Sequence, residues 1–142
     1  MKKLLVINGP SINLLGYRER EVYGDRTYGE LLEFIDELAK TLDVKVKVVQ
    51  DNSEGKIIDY LQDALLNKYD GIIINPGAYT HYSYAIRDAI VAVRLRVVEV
   101  HLSDTTNREE FRKTNVISDV CEKTFQGKGF DSYKEAICYL AK

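Results

Sequence analysis

The chain has 142 residues, 45% of them hydrophobic, which is the length of one domain, residues 1–142, able to bury its own core without disulfide or metal staples. With 20 Lys and Arg against 22 Asp and Glu the formal charge is −2, so no global field draws it to nucleic acid or to an anionic membrane. No apolar run approaches the roughly 20 residues of a membrane span, and Leu4–Ile7 stops at Asn8-Gly9-Pro10, short of a secretory leader; a cytoplasmic protein is expected.

Runs suited to buried parallel strands alternate with stretches whose apolar residues recur at helical spacing. Lys3 to Asn8 reads as the first strand. After a long loop, Thr27-x-x-Glu30 has capping-box spacing, and Leu31, Ile35, Leu38 and Leu42 form the stripe of a core-facing helix. Val44 to Gln50 alternates valines with Lys45 and Lys47, the pattern of a strand near a sheet edge, and Ile57, Leu61 and Leu65 mark the next helix. Gly71 to Asn75 is apolar from Ile72 to Ile74, as expected in mid-sheet.

A helix from about Tyr79 to Val93 would place Tyr82, Ala85, Ile86, Ala89 and Val93 on one face, before a fourth strand at Arg96 to His101. Val116 to Cys121 is the candidate fifth strand. Ser132-x-x-Glu135 repeats capping-box spacing ahead of a helix bearing Tyr133, Ala136, Ile137 and Leu140. Five right-handed strand-helix units imply a three-layer α/β fold, a doubly wound five-stranded parallel sheet of flavodoxin-like form.

Such sheets bind ligands beyond the carboxyl ends of their strands. That rule selects Asn8 to Gly24, Asn75 to His81, His101 to Arg112 and the short Asp51 to Ser53. Cys121 and Cys138 have neither CxxC spacing nor nearby histidines, so free thiols are expected rather than a metal or redox site. Gly127 and Gly129 imitate the start of a dinucleotide loop, but Ser132 stands at the third glycine position.

Both histidines, His81 and His101, fall in the selected segments. In Val97-Val98-Glu99-Val100-His101 the strand period puts Glu99 and His101 on one side, where an acid in an apolar run needs a partner. The carboxylate can orient the imidazole and favour its cationic form; a purely structural ion pair is the alternative. The loop from Gly9 to Gly24 carries Ile12, Leu14, Leu15 and Val22, more than a disordered segment would keep, and reads as a lid. Within it Tyr23 lies five residues from Arg18. Lowering a phenol from about 10 to about 7–8 takes roughly 3–4 kcal/mol. Arg18, helped by Arg112, is of the right magnitude.

Three blocks then resemble the type II 3-dehydroquinate dehydratases of the shikimate pathway: Asn8 to Gly24, Asn75-Pro76-Gly77-Ala78-Tyr79-Thr80-His81 through Ala85 to Ala89, and Val98-Glu99-Val100-His101-Leu102-Ser103 through Phe111-Arg112. The resemblance implies a flavodoxin-like fold with no cofactor or metal, assembled as a homo-oligomer, a dodecamer of trimers. It implies a hydro-lyase that removes water from 3-dehydroquinate by anti elimination through an enolate, on the route to chorismate and the aromatic amino acids.

By the same resemblance Tyr23 matches the base, Arg18 its activator, His101 the acid and Glu99 the group behind it. Asn75, His81, Leu102, Ser103 and Arg112 match substrate-holding positions, with the backbone at Leu102-Ser103 receiving the carboxylate. Asp88 also matches a substrate-side position. Seven residues along one helix, or roughly 10 Å, would part it from His81, so it is expected to reach the site of a neighbouring subunit.

Departures from the family pattern are Ser11 in place of asparagine, which shortens a group organising the enolate-stabilising water, and Arg20 in place of proline. Tyr82, Tyr84, Asp104 and the stretch from Phe125 to Tyr133 differ too. Two rival readings remain: a flavodoxin-like binding module for a flavin or phosphorylated ligand, and a catalytically impaired oligomeric relative. Against the first stand Pro10, Ile12, Leu14 and Leu15, where a phosphate loop would carry Ser, Thr and Gly.

Overall fold

The computed structural model describes residues 1–17, 20–23, 25–104 and 108–142, and only the backbone of Arg20 and Tyr23. Among these residues five strands, β1 (Lys3–Asn8), β2 (Lys45–Gln50), β3 (Gly71–Asn75), β4 (Arg96–His101) and β5 (Lys123–Gln126), form one sheet in the order β2-β1-β3-β4-β5. Every pairing is parallel. This is the flavodoxin-like arrangement anticipated from the alternating pattern.

Helices α2 (Tyr28–Leu42) and α5 (Phe130–Ala141) cover one face, α3 (Glu54–Leu66) and α4 (Tyr84–Val93) the other; α1 is a single turn, Arg20–Tyr23. Since both faces are covered, side chains of either parity along the central strands are buried. Leu4, Val6, Ile73, Val98 and Val100 pack with Leu31, Ile35, Tyr133 and Ile137. Leu5, Ile7, Ile72, Ile74 and Val97 pack with Ile57, Leu61, Ile86 and Ile90. At the edge, β2 keeps Lys45 and Lys47 exposed and its valines half-buried, as the alternation predicted.

Helix α2 begins on the expected capping box: the Thr27 hydroxyl accepts from the Glu30 amide at 3.1 Å, and the Glu30 carboxylate accepts from the Thr27 amide at 3.4 Å. On α3 the stripe is Ile57, Leu61 and Ala64; Leu65, assigned to it from the sequence, is exposed.

Three further expectations need correction. The helix anticipated from Tyr79 is two elements, a short 3-10 helix over Gly77–His81 and α4 from Tyr84. Ser83 separates them because its backbone is extended and its hydroxyl accepts from the Ile86 amide at 3.0 Å, starting a new helix. Tyr82 and Ala85 consequently point outward, and the buried face is Ile86, Ala89, Ile90 and Val93. His81 and Asp88 therefore do not share one helix.

Val116 to Cys121 is not the fifth strand. The Val116 amide bonds to Thr80 O, and Ser118–Val120 is a 3-10 turn under which Ile117 is fully buried. The apolar content that suggested a strand is there to plug the α3–α4 face. Lastly, Ser132 does not cap α5, which starts at Phe130; its buried hydroxyl accepts from the Lys128 amide at 3.0 Å, tightening the turn before the helix.

The loop after β1 contains a 3-10 helix, Ile12–Leu14, followed by α1. Ile12 and Leu15 are buried in the α2–α5 core, whereas Leu14 is exposed. Gly9 brings this loop against the loop after β3: its amide donates to Asn75 O at 2.8 Å, and a Cβ there would sit 2.8 Å from Pro76 O. No helix among the described residues is long and apolar enough to cross a membrane.

Candidate active site

Strands β1 and β3 end level, since Asn8 pairs with Asn75, and β4 runs one residue further, since Ile74 pairs with Glu99 and the strand ends at His101. Beyond these ends lies a cavity of about 130 Å³ lined by Pro10, Ser11, Ile12, Asn75, Gly77, Ala78, His81, His101, Leu102, Ser103, Arg108 and Arg112. Among the described residues the lining holds two histidines and two arginines but no carboxylate, an environment suited to an anion.

A carboxylate stands directly behind His101. Glu99 is fully buried in β4, and its Oε2 lies 2.5 Å from His101 Nε2. Strand period puts both side chains on the α3–α4 side of the sheet. Thr80 Oγ1 donates to Glu99 Oε2 at 2.6 Å and Thr124 Oγ1 to Oε1 at 3.2 Å, while Asn115 Nδ2 reaches both oxygens, at 3.0 and 3.3 Å. Burial pushes the Glu99 pKa up, but the bonds from His101, Thr80 and Asn115 and the His101 charge outweigh it and hold the carboxyl below its ordinary range. With Nε2 engaged by Glu99, His101 has Nδ1 left for a ligand.

His81 is held differently. Its Nδ1 donates to Thr114 O at 2.8 Å, and its ring meets Phe111 edge-on with centroids 5.7 Å apart. Burial, with the Arg112 and His101 charges, lowers its pKa despite the Thr114 carbonyl, so the ring is neutral at neutral pH. Neutral imidazole leaves Nε2 as an acceptor.

Asn75 is oriented from within the core. Its Nδ2 donates to Tyr133 Oη at 2.8 Å, its Oδ1 accepts from the Gly77 amide at 3.2 Å, and Tyr133 donates onward to Asn8 Oδ1 at 2.7 Å. Burial raises the Tyr133 pKa, so the phenol stays protonated and its proton points to Asn8. Ser11 has left-handed backbone, φ 67°, and its amide donates to Asn52 Oδ1 at 3.0 Å. Arg112 pairs with Glu109 at 2.6 Å, lowering the Glu109 pKa.

Of the residues selected from sequence, Ser11, Asn75, His81, His101, Leu102, Ser103 and Arg112 thus meet at one cavity, with Glu99 behind. Asp88 is exposed on α4 and does not line it. Arg18 and the Tyr23 side chain lie outside the described residues, as does Gly24. Sequence reasoning missed Arg108, and also Asn8, Tyr133, Thr80, Asn115 and Thr124, whose role is to hold other site residues. Tyr133 read simply as part of an apolar stripe. A signal for Asn8 was present, because a polar residue ending a buried strand needs partners.

Comparison with known proteins agrees with this fold. The family description "Dehydroquinase class II" matches residues 2–141. A 3-dehydroquinate dehydratase from Caldicellulosiruptor saccharolyticus is 54% identical over 99% of this chain and 97% of its own length. The crystal structure of type II dehydroquinase from Butyrivibrio crossotus superposes with a TM-score of 0.98 at 48% identity, covering 99% of this chain and 98% of that one. That from Propionibacterium acnes gives 0.95 at 36% identity, covering 99% and 97%. With a cavity at the sheet's carboxyl edge built from the same three sequence blocks, the chain belongs to the class II dehydroquinase family.

Proposed function

We propose that this chain dehydrates 3-dehydroquinate to 3-dehydroshikimate by anti elimination, with Tyr23 as base and His101 as acid. Tyr23, as a phenolate favoured by the Arg18 charge, takes the proton next to the ketone, and the electron pair moves into an enolate. The enolate expels the hydroxyl, which leaves as water with the proton of the His101 imidazolium, and the conjugated enone remains. Glu99 balances the charge of the imidazolium and fixes its ring.

The observation that carries the reading is the cavity itself: His101, backed by a buried carboxylate, shares walls with Asn75, His81, Ser103, Arg108 and Arg112 in a member of this family. Ser103 and the Leu102-Ser103 backbone, with the arginines, would receive the substrate carboxylate. Asn75 and neutral His81 suit ring hydroxyls. Against the binding-module alternative, the described part of the loop after β1 buries Ile12 and Leu15 in the core.

The test adds 3-dehydroquinate and follows the ultraviolet absorbance of the enone. Tyr23→Phe should bind substrate without turning it over; turnover equal to the parent would show that the base is misassigned. We infer also a dodecamer of trimers in which exposed Asp88 enters a neighbouring subunit's site. Light scattering with Asp88→Asn kinetics tests this, and a fully active monomer carrying that substitution would refute it.

A further inference from the structure

Three consecutive residues after the Glu110–Lys113 turn touch the supports of both histidines. Thr114 O accepts from His81 Nδ1 at 2.8 Å, Asn115 Nδ2 donates to Glu99, and the Val116 amide donates to Thr80 O at 2.9 Å. Thr80 in turn gives its hydroxyl proton to Glu99 at 2.6 Å. Thr80 Oγ1 also lies 3.4 Å from Asn115 Oδ1, but its one proton goes to the nearer and charged acceptor.

Asn115 has a particular place here. Among the described partners of Glu99 it is the group reaching both carboxylate oxygens; His101 and Thr80 meet Oε2 and Thr124 meets Oε1. A donor shared across the two oxygens resists rotation of the carboxylate about its own axis, and so keeps Oε2 on the imidazole. The Asn115 amide is itself fixed: its Oδ1 accepts from the Ile117 and Ser118 amides at 2.8 and 2.9 Å, which turns Nδ2 toward Glu99.

We propose that Asn115 is a positioning residue for proton delivery, and that Thr114–Val116 acts as one strap setting Glu99 behind His101 and His81 beside it. The proposal rests on the reading of His101 as the acid. Asn115 touches no substrate; it acts through Glu99.

Among the described residues, the titratable and charged groups around Glu99 leave the imidazole as its counterpart. His101 follows it on β4, His81 comes from the segment after β3, Cys121 follows the strap, and Arg112 precedes it. Burial, together with the Glu99 and Asp119 charges, pushes the Cys121 thiol up to about 12, so it stays neutral. His81 is neutral as well, and Arg112 is paired with Glu109.

Two substitutions separate a structural role from a positioning one. Asn115→Asp keeps an oxygen for the Ile117 and Ser118 amides but turns a second carboxylate toward Glu99. Two carboxylates so close share a proton, which is held to raised pH. While it is held, the introduced carboxylic acid donates to Glu99 in place of the amide; once it leaves, the pair repels. Asn115→Ala lacks the donor at every pH.

The measurement is kcat and KM against pH for parent, Asn115→Asp, Asn115→Ala and His101→Asn. We expect roughly tenfold lower kcat with KM within about twofold for Asn115→Ala at all pH. For Asn115→Asp we expect near-parental kcat at the acidic end and an additional decline as pH rises, absent from the alanine variant. A parental kcat profile in Asn115→Asp overturns the proposal. So does an alanine variant that raises KM alone. If Asn115→Ala does not fold, the aspartate profile decides by itself, because that variant keeps the turn. Should His101→Asn turn over like the parent, the acid assignment fails first; should it collapse while both Asn115 variants follow the parent, only the strap role is lost.

Discussion

The two sides of the cavity are built on different physics. On the β3–β4 side, position is set by charge-assisted hydrogen bonds to one buried carboxylate, with Glu99 taking donors from His101, Thr80, Asn115 and Thr124. On the β1 side, the described part of the loop is held by two aliphatic plugs, Ile12 and Leu15, and by backbone contacts such as Ser11 to Asn52. Each side is therefore vulnerable to a different change. Removing one donor strikes the acid side, while backbone preference and apolar anchoring hold the described part of the loop that carries Tyr23.

The largest expected effects come from breaking one proton-transfer group on each side. Tyr23→Phe and His101→Asn should each lower kcat by about 10²–10⁴, with substrate binding retained, as measured by steady-state kinetics and by titration calorimetry. Next, Leu15→Ala removes a plug that is 1% exposed and should cost about 2–5 kcal/mol in urea unfolding. If the plug also places Tyr23, kcat falls along with stability; a parental kcat in the destabilised variant would show that the plug does not place the base.

Glu99→Gln sharpens the contrast through pH. The folded carboxyl sits below its ordinary value of 4.5, so its contribution to stability is complete above that value and disappears as pH falls through the lower folded value. The parent should therefore lose Tm below about pH 4.5 more steeply than Glu99→Gln, read by scanning calorimetry; parallel curves would mean that the ionised form is not favoured by folding. Glu109, Asp119 and Glu122 are lowered by arginines too, but they are common to both proteins and cancel in the comparison.

Smaller effects are expected from Ser11→Asn. Its φ of 67° lies where asparagine is enriched over other side chains, and the amide offers two donors where the hydroxyl offers one. A few-fold rise in kcat, with a slight rise in Tm, is the expected outcome; no rise in either removes the case for serine as a handicap. Smallest of all, Cys121 should react with iodoacetamide at pH 8 far more slowly than an unfolded thiol, because burial keeps it protonated. Mass spectrometry of the labelled peptide checks this.

Much of the sheet was legible because burial on both faces writes itself as unbroken apolar runs, as in Leu4–Ile7 and Ile72–Ile74. Glu99 and His101 were legible for the opposite reason, since a charge in such a run demands a partner two residues away. What escaped was short or double in purpose. Strand β5 is four residues at an edge, Lys123–Gln126, and the more apolar Val116 to Cys121 outweighed it. Ser83 ends one helix and begins another through a side-chain bond that periodicity does not register. Asn115 and Thr80 come close to Glu99 only after folding, so no local spacing announces them.

The meeting of Gly9 with Pro76 has a practical corollary for exchanging parts among relatives. Main chain rests on main chain there, with no gap for even a methyl group. Two hairpin-free crossings of the fold are thereby locked as a matched set, and a chimera that imports just one of them inherits a mating surface cut for a different counterpart. Transplants that carry both together should behave; singly grafted ones should come apart at that seam.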